Sequence, residues 1–379
     1  MAIYHRDSYR FKLLSYLLYC CVIPKRSLRY LGNETKSVQN AVHKAKKEGL
    51  IREERIHGRL YLTLCKPVVN YETLKGYVFI DYEMHYPKLK KSFFRNESNA
   101  EAKQKMQRLN QLSESSIFVG EAGIKAIPGE KESLGAETFY WDEPVFYQSL
   151  EVKQYMESEE ARAIASRATG CICWQNKISM VFSLSDDLIK VGDITEKLNV
   201  ERYYGHFCSR VKRLCMEDAY IFTWKYERVH EKLELLRRYG SLFTLDGTYK
   251  NYYLIPYTRE GNRLLGLLFK PNAKTELMDM IIRSSWRVDR DIIHIEADGV
   301  DDNGVYVFNY LIPNVYRLKK FMKAAKMLPD KRFHVFCYDF QEEAVAKETI
   351  ENVTYSVYAL KSVEDMYEKR MRRRRNESR

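Results

Sequence analysis

The sequence predicts a multidomain protein of mixed class, α+β at its N-terminal end and α/β over the rest of the chain. At 379 residues the chain has the length of two or three domains, and its 45% of hydrophobic residues are enough for ordinary cores. Beyond residue 139, predicted strands alternate with predicted helices of roughly ten residues, which is typical of a sheet with some parallel pairing. The first 66 residues have a different pattern, which predicts a separate small domain.

The N-terminal pattern is that of three helices followed by a β-hairpin. Apolar residues at helical spacing predict a first helix, and Pro24 ends it and opens a short second helix. The elements predicted next are a turn at Gly32-Asn33, a third helix over 35–48 and strands over 51–56 and 59–64. This order predicts a winged helix-turn-helix, in which the third helix enters the major groove of DNA and the hairpin lies against the phosphate backbone.

The third predicted helix has an apolar stripe and a polar face. The helical period places four apolar residues on one side: Val38, Ala41, Val42 and Ala45. On the other side, Gln39 and Asn40 have amide groups that suit adenine edges, while lysine and arginine side chains suit phosphates. The residues predicted to contact DNA from this helix and the hairpin are Lys36, Gln39, Asn40, His43, Lys44, Lys47, Arg52, Arg55 and Arg59. A winged helix that contacts protein is the alternative interpretation.

The formal charge of +12 is concentrated at the two ends of the chain. Residues 1–66 carry 14 Lys/Arg against five Asp/Glu (+9), and residues 367–379 carry seven against two (+5), which leaves −2 for the 300 residues between them. Basic terminal modules of this kind are typical of proteins that meet a polyanion. The tail arginines, which cannot all find acidic partners, predict an extended or frayed segment that contacts DNA phosphates: Arg372, Arg373, Arg374 and Arg375. In the competing interpretation, these arginines lie against the acidic turn near Asp298 and hold the body together.

The predicted domain boundaries follow changes in composition. A polar helix over 99–113 and a strand over 117–127 predict a connector, and a strand over 292–297 is predicted near the end of the body. The predicted domains are a winged helix-turn-helix over 1–66, a connector with a strand and a polar helix over 67–138, an α/β subdomain over 139–245, a C-terminal α/β domain over 246–366 and a basic tail over 367–379.

Acidic residues around the strand predicted over 292–297 form the one candidate catalytic constellation. They are Asp289, Asp291, Glu296, Asp298, Asp301 and Asp302. Carboxylates at the end of a strand hold Mg²⁺ in two-metal nucleases, and Asp291, Glu296 and Asp298 are the candidate ligands. The next predicted strand lacks the E-x-K that such nucleases usually have, so no cofactor is expected. Mg²⁺ is expected only in the alternative in which this chain is itself a Mg²⁺-dependent endonuclease. A solvated acidic turn is the alternative interpretation.

Several other classes of protein are excluded by the sequence. It contains no P-loop, G-x-G-x-x-G, H-E-x-x-H or G-x-S-x-G motif, so the balance favours a protein without enzymatic activity. Eight cysteines without a C-x-x-C pair indicate buried thiols in a reducing cytoplasm. The apolar run over 13–23 is interrupted and too short to span a bilayer, and the polar first seven residues do not resemble a signal peptide. Membrane, secreted disulfide-rich and zinc-finger proteins are therefore not expected.

A resemblance to a known family rests on three parts of the chain. The winged-helix pattern, the stretch Ser166-Arg167-Ala168-Thr169-Gly170 before a hairpin and the C-terminal β-β-α-β array resemble replication-relaxation-like proteins of Gram-positive plasmids and integrative conjugative elements. The resemblance covers the order of parts over most of the chain. It implies a winged helix followed by a restriction-endonuclease-like domain, here degenerate because Glu296 and Asp298 are kept without the lysine.

The predicted function is sequence-preferring binding of double-stranded DNA by a cytoplasmic protein of a mobile genetic element. The step served is replication, conjugative transfer or regulation, and further partners are a second copy of the chain or other transfer proteins. One alternative is a Mg²⁺-dependent endonuclease or nicking enzyme that uses the acidic cluster around residues 291–298. A second alternative is a protein-interaction adaptor whose basic ends are incidental.

Overall fold

A computed structural model describes most of the chain, as two compact units of mixed α and β structure. The units are residues 1–185 with 198–216, and residues 186–197 with 217–379. The described residues are 8–377 except 21, 32–34, 57, 66–99, 128–129, 133, 135–140, 156–166, 185–193, 236–244, 246, 283–285, 287–293 and 348–349. The predicted class, a multidomain α/β chain, is confirmed.

The first unit begins with two helices and a small sheet. Its elements are α1 (Tyr9–Cys20), β1 (Val22–Pro24), a 3-10 helix (Lys25–Tyr30), α2 (Thr35–Lys47), β2 (Ile51–Ile56) and β3 (Arg59–Leu64). Strands β1 and β2 both pair antiparallel with β3, which gives the sheet order β1-β3-β2. The sequence pattern does not predict β1, because the helical spacing of α1 runs on through Val22.

The remaining elements of this unit are one long helix, three strands and two further helices. They are α3 (Ala100–Glu121), β4 (Trp141–Gln148), α4 (Ser149–Tyr155), β5 (Gly170–Gln175), β6 (Lys177–Leu184) and α5 (Ile194–Phe207), the last of which begins in the second unit. Strand β5 pairs antiparallel with β4 and with β6. A Cβ atom on Gly170 would overlap the carbonyl oxygen of Tyr147, so only glycine fits the start of β5.

Helix α3 shows that the strand predicted over 117–127 is wrong. The helix continues to residue 121, and only an isolated bridge at Lys125 is extended. Ile117, Phe118 and Val119 are fully buried within the helix. A short run of apolar residues predicts a buried strand and a buried helix equally well, so periodicity alone cannot separate the two.

The same helix is not a polar connector, although its sequence contains several serines. Ser113 and Ser116 are buried, and their hydroxyl groups donate to the carbonyl oxygens of Leu109 and Leu112 at 2.6 and 2.8 Å. Hydrogen bonds to the carbonyl four residues earlier satisfy these hydroxyls inside the helix. Both hydroxyls also have partners outside the helix: Ser113 Oγ lies 2.7 Å from the Val22 carbonyl oxygen, and Ser116 Oγ accepts from Gln148 Nε2 at 2.7 Å.

The second unit is an α/β structure with parallel strands. Its elements are β7 (Asp218–Thr223), α6 (Tyr226–Lys232), β8 (Asn251–Pro256), α7 (Arg259–Leu268), α8 (Ala273–Ile281), β9 (Gly299–Val300), β10 (Tyr306–Asn309), α9 (Val315–Met327), β11 (Phe333–Tyr338), α10 (Asp339–Ala346), β12 (Val353–Tyr358) and α11 (Leu360–Glu377). Strands β10, β11 and β12 are parallel and β9 is an antiparallel edge, in the order β12-β11-β10-β9. The predicted parallel pairing is confirmed.

The core of this unit lies between the four-stranded sheet and helix α9. The Phe321 ring of α9 lies 5.3 Å from the Phe308 ring and 5.2 Å from the Phe333 ring, centroid to centroid. Leu318 and Ala325, one turn to either side of Phe321, are also buried in this core. The inner stripe of α9 therefore fixes which of its side chains point outward.

Two predicted features of the second unit are wrong. Residues 294–297 are not a strand, since His294 and Ile295 are helical and Glu296 has a positive φ of 62°. Apolar and polar residues alternate there as in a strand, but the alternating segment is too short to specify one. The arginine-rich tail is not extended, because α11 continues to Glu377.

Candidate nucleic-acid interface

Helix α2 has one buried and one exposed face, as its sequence pattern predicts. The four inward residues are at most 8% exposed. The six polar residues predicted to contact DNA from this helix are all exposed: Lys36, Gln39, Asn40, His43, Lys44 and Lys47. At about 100° per residue the six lie within roughly 140° of arc, opposite Ala45, and they extend over about 16 Å of helix axis.

These six side chains are not used to hold the fold together. Within the part of the chain that the structure describes, none of them is hydrogen-bonded or ion-paired to another side chain. The face combines amide, imidazole and ammonium groups, which together can donate to phosphates and pair with base edges. The exposed face of α2 is therefore available for a ligand.

The turn after α2 joins this helix to the hairpin. Gly49 has a φ of 68°, a conformation that favours glycine, and the Leu50 N–H donates to the Ala45 carbonyl at 3.0 Å. The Cys65 N–H in turn donates to the Leu50 carbonyl at 3.0 Å. These bonds fix the end of α2 beside the end of β3, so α2 and the hairpin are held together at this point.

The three hairpin arginines predicted to contact phosphates are exposed, but two of them have partners. Arg52 forms an ion pair with Glu54, and the charge of Arg59 acts on the Tyr61 hydroxyl. Burial raises the pKa of the Tyr61 hydroxyl, and the charge of Arg59 opposes that shift. Arg55 lies opposite Leu60, one residue pair away from the turn of the hairpin, so it is the hairpin arginine best placed to reach a phosphate.

Three further basic residues of this module were missed by sequence reasoning. Lys25, Arg29 and Lys46 are exposed, and the Nζ atoms of Lys25 and Lys46 lie 3.3 and 3.4 Å from the Glu53 carboxylate. Partial burial raises the pKa of Glu53, but the two lysines outweigh it and leave the pKa below its ordinary value. Only the register of β2, which brings Glu53 beside α2, would have revealed this cluster.

The arginines of α11 fall into two sets. Arg370 and Arg374, one turn apart, each lie 2.8 Å from the carboxylate of Glu276 on α8, whose side chain is fully buried. Arg372, Arg373 and Arg375 are exposed on the helix. Arg372 also lies 3.9 Å from the exposed carboxylate of Glu368 on the same helix. The three exposed arginines are therefore presented by an ordered helix.

The acidic constellation is described only in part, because Asp289 and Asp291 lie outside the described residues. Arg317 of α9 donates to Asp298 at 2.7 Å and to Glu296 at 3.2 Å, and Lys320 donates to Glu296 at 2.9 Å. The backbone N–H of Asn309 donates to the second Asp298 oxygen at 2.7 Å. Burial raises the pKa of Asp298, and the charge of Arg317 opposes that shift.

The described carboxylates do not fit a Mg²⁺ site. Each oxygen of Glu296 and Asp298 already accepts a hydrogen bond from the protein, and a metal ion would have to displace Arg317 and Lys320. No group of three or more potential metal ligands occurs among the residues described. The two cations were missed because they lie 19 and 24 residues from their partners, on the edge of a separate helix.

The cysteine predictions are partly right. Cys171 and Cys173 lie on the same side of β5, both buried, with sulfur atoms 3.9 Å apart, as expected for two core thiols. Cys208, in contrast, is exposed. No segment among the described helices is long and apolar enough to cross a membrane.

Comparison with known proteins adds no identification. No protein-family model, curated protein or solved structure matches the chain.

Proposed function

We propose that the chain is a sequence-preferring double-stranded DNA-binding protein whose first 66 residues act as a winged helix-turn-helix. The order of helices, the hairpin after α2 and the β1-β3-β2 sheet support this assignment. In this proposal α2 enters the major groove, where Gln39 and Asn40 pair with adenine edges and Lys44 contacts a phosphate. The hairpin lies against the backbone, with Arg55 as its phosphate contact.

One observation carries the proposal: the outward face of α2 is polar, basic, exposed and free of internal partners among the described residues. A protein-binding face would be expected to carry aromatic or apolar anchors, and the six exposed residues of this face include none. The charge of +9 on residues 1–66 supports a polyanionic ligand.

The exposed arginines of α11 supply a second, sequence-independent contact in this proposal. Arg372, Arg373 and Arg375 are held on an ordered helix, so they reach phosphates without first losing the freedom of a flexible tail. The role in replication, conjugative transfer or regulation of a mobile element rests on the family resemblance alone, as do assembly with a second copy or with other transfer proteins.

The proposal is tested by selecting a preferred duplex from a random pool and measuring its affinity across salt concentrations. We expect tighter binding to the selected duplex than to an unrelated one. We also expect log K to fall linearly with log[salt], because bound lysines and arginines release counterions. An affinity for duplex DNA that shows neither preference nor salt dependence would favour the adaptor alternative instead.

A further inference from the structure

Helix α9 carries a concentration of positive charge that the proposed function does not use. Residues 315–332 contain seven Lys/Arg against one Asp/Glu (+6), whereas residues 67–366 as a whole have a net charge of −2 and therefore −8 outside this segment. The helix itself has no acidic residue. Its basic residues are Arg317, Lys319, Lys320, Lys323 and Lys326.

The orientation of this charge is fixed by the core. Val315, Leu318, Phe321, Met322 and Ala325 are buried. The Asn314 side chain caps the helix by accepting the Arg317 N–H at 3.3 Å. On the outer side, Lys323 and Lys326 are exposed and Lys319 is half-buried in the same row, at the spacing i, i+4 and i+7. We call Lys319, Lys323 and Lys326 the α9 lysine row.

Helix stability favours Lys326, which lies in the last turn of α9, but it does not favour Lys319 and Lys323 four residues apart. Cations stabilise the C-terminal end of a helix and destabilise its N-terminal end, and like charges four residues apart repel. Arg317 and Lys320 are explained by their ion pairs with Glu296 and Asp298. Lys323 has no acidic residue three or four positions away on the helix, only Lys319, Lys320, Lys326 and Met327. An anionic ligand would relieve this repulsion.

We infer that the α9 lysine row is a further DNA-contact surface, beside those on α2 and α11, which binds the phosphate backbone without reading bases. The row contains ammonium groups, which act as point charges. It has no amide or guanidinium, the planar groups that make two hydrogen bonds to one base edge. It extends over about 10 Å of helix axis, along which duplex DNA presents one phosphate for about every 1.7 Å. The inference rests on the proposed function and adds to the α11 arginines another surface that supplies affinity independent of sequence.

The test uses the full chain with Lys319→Gln, Lys323→Gln and Lys326→Gln combined. A matched control removes three exposed lysines elsewhere in the same unit: Lys250→Gln, Lys347→Gln and Lys361→Gln. We expect the α9 variant to flatten the slope of log K against log[salt] by about 0.9 for each phosphate that is no longer neutralised. The loss of affinity should be equal for the selected and unrelated duplexes, and the control should change the slope less.

A second variant separates loss of DNA contact from a folding defect. Lys323→Gln with Lys326→Gln changes only exposed side chains, so it should keep the parent melting temperature and still flatten the slope by up to about 1.8. An unchanged slope in this double variant, or an equal change in the control, would overturn the inference. Loss of binding to phosphatidylserine vesicles with unchanged DNA binding would overturn it too, and would assign the row to lipid.

Failure of this inference is distinguishable from failure of the proposed function. The α9 variant changes the salt slope and leaves the preference among duplexes intact, whereas a variant of the α2 face changes the preference. If the α2 variant keeps its preference while the α9 variant flattens the slope, the α2 assignment fails and the lysine row stands. The opposite pair of results would retain α2 and remove the row.

Discussion

The sequence predicts which way individual basic side chains point, but it does not predict which of them have acidic partners. The helical period is sufficient to predict that Lys36, Asn40 and Lys47 face outward, because each position follows from a repeat of 3.6 residues. The period says nothing about partners, so the pairing of Arg52 with Glu54 and of Arg374 with Glu276 was not predictable. Exposure of a charged residue can be read from sequence, but its availability to a ligand requires the fold.

Glu276 is the buried anchor of the C-terminal helix, and its replacement tests that role. Glu276→Gln removes the charge that Arg370 and Arg374 share. Because both arginines are more than one-third exposed and screened by water, we expect a loss of about 1–2 kcal/mol in the free energy of unfolding, measured with urea. Glu368→Gln, which changes an exposed carboxylate on α11, is the control and should cost less than about 0.5 kcal/mol. Equal effects of the two changes would contradict the anchor.

His230 makes the stability of the second unit depend on pH. Its ring is 5% exposed, next to Tyr226 and Tyr310. Burial, together with the charge of Lys319, lowers the pKa of His230 to about 3. The unfolded chain, with a histidine pKa of about 6.5, therefore binds a proton that the folded chain rejects, and stability falls as the pH drops from about 6.5 towards 3.

Replacing His230 with glutamine should remove this part of the acid sensitivity. Between pH 7 and pH 4.5, the change in the free energy of unfolding should be smaller in His230→Gln than in the parent by about 2–3 kcal/mol. Urea unfolding at the two pH values measures it. Parallel pH dependence of parent and variant would show that His230 titrates normally in the folded protein.

At the scale of elements, regular and isolated patterns were predictable and dense apolar or serine-rich segments were not. The bounds of β2 and β3 agree with prediction, because each strand has a clear period between turn residues. Helix α3 was mistaken for a helix and a strand, since burial on all sides removes the period on which the distinction depends. Strand β1 has three residues, which is too short for any pattern.

Helix α11 combines an anchoring face with an exposed basic face, and substitutions can separate the two. Arg372→Gln, Arg373→Gln and Arg375→Gln together should weaken binding to all duplexes equally and flatten the salt slope by about 0.9 for each phosphate that is no longer neutralised. The melting temperature should stay that of the parent, because the anchors Arg370 and Arg374 remain. Deletion of residues 369–379 removes the anchors as well, so it should lower the melting temperature too. A triple variant with an unchanged slope would remove α11 from the DNA interface.

For the molecule as a whole, the alternative of a Mg²⁺-dependent endonuclease can be tested at the acidic cluster. With Mg²⁺ or Mn²⁺ and supercoiled plasmid, we expect no nicking above background, because the oxygens of Glu296 and Asp298 are occupied by Arg317, Lys320 and the Asn309 N–H. Nicking that disappears in Glu296→Gln or Asp298→Asn would reverse this expectation and establish the endonuclease alternative.

The central claim is that the outward face of α2 reads DNA sequence. The measurement that tests it most directly is the affinity of Gln39→Ala, Asn40→Ala and Lys44→Ala combined, on the selected and on an unrelated duplex. A control variant changes the same residue types at exposed positions elsewhere, Gln104→Ala, Asn303→Ala and Lys212→Ala. We predict that the α2 variant keeps the parent melting temperature and loses about 1–3 kcal/mol of discrimination for each bidentate base pairing removed. An α2 variant that binds the selected duplex as tightly as the parent and the control would contradict the claim.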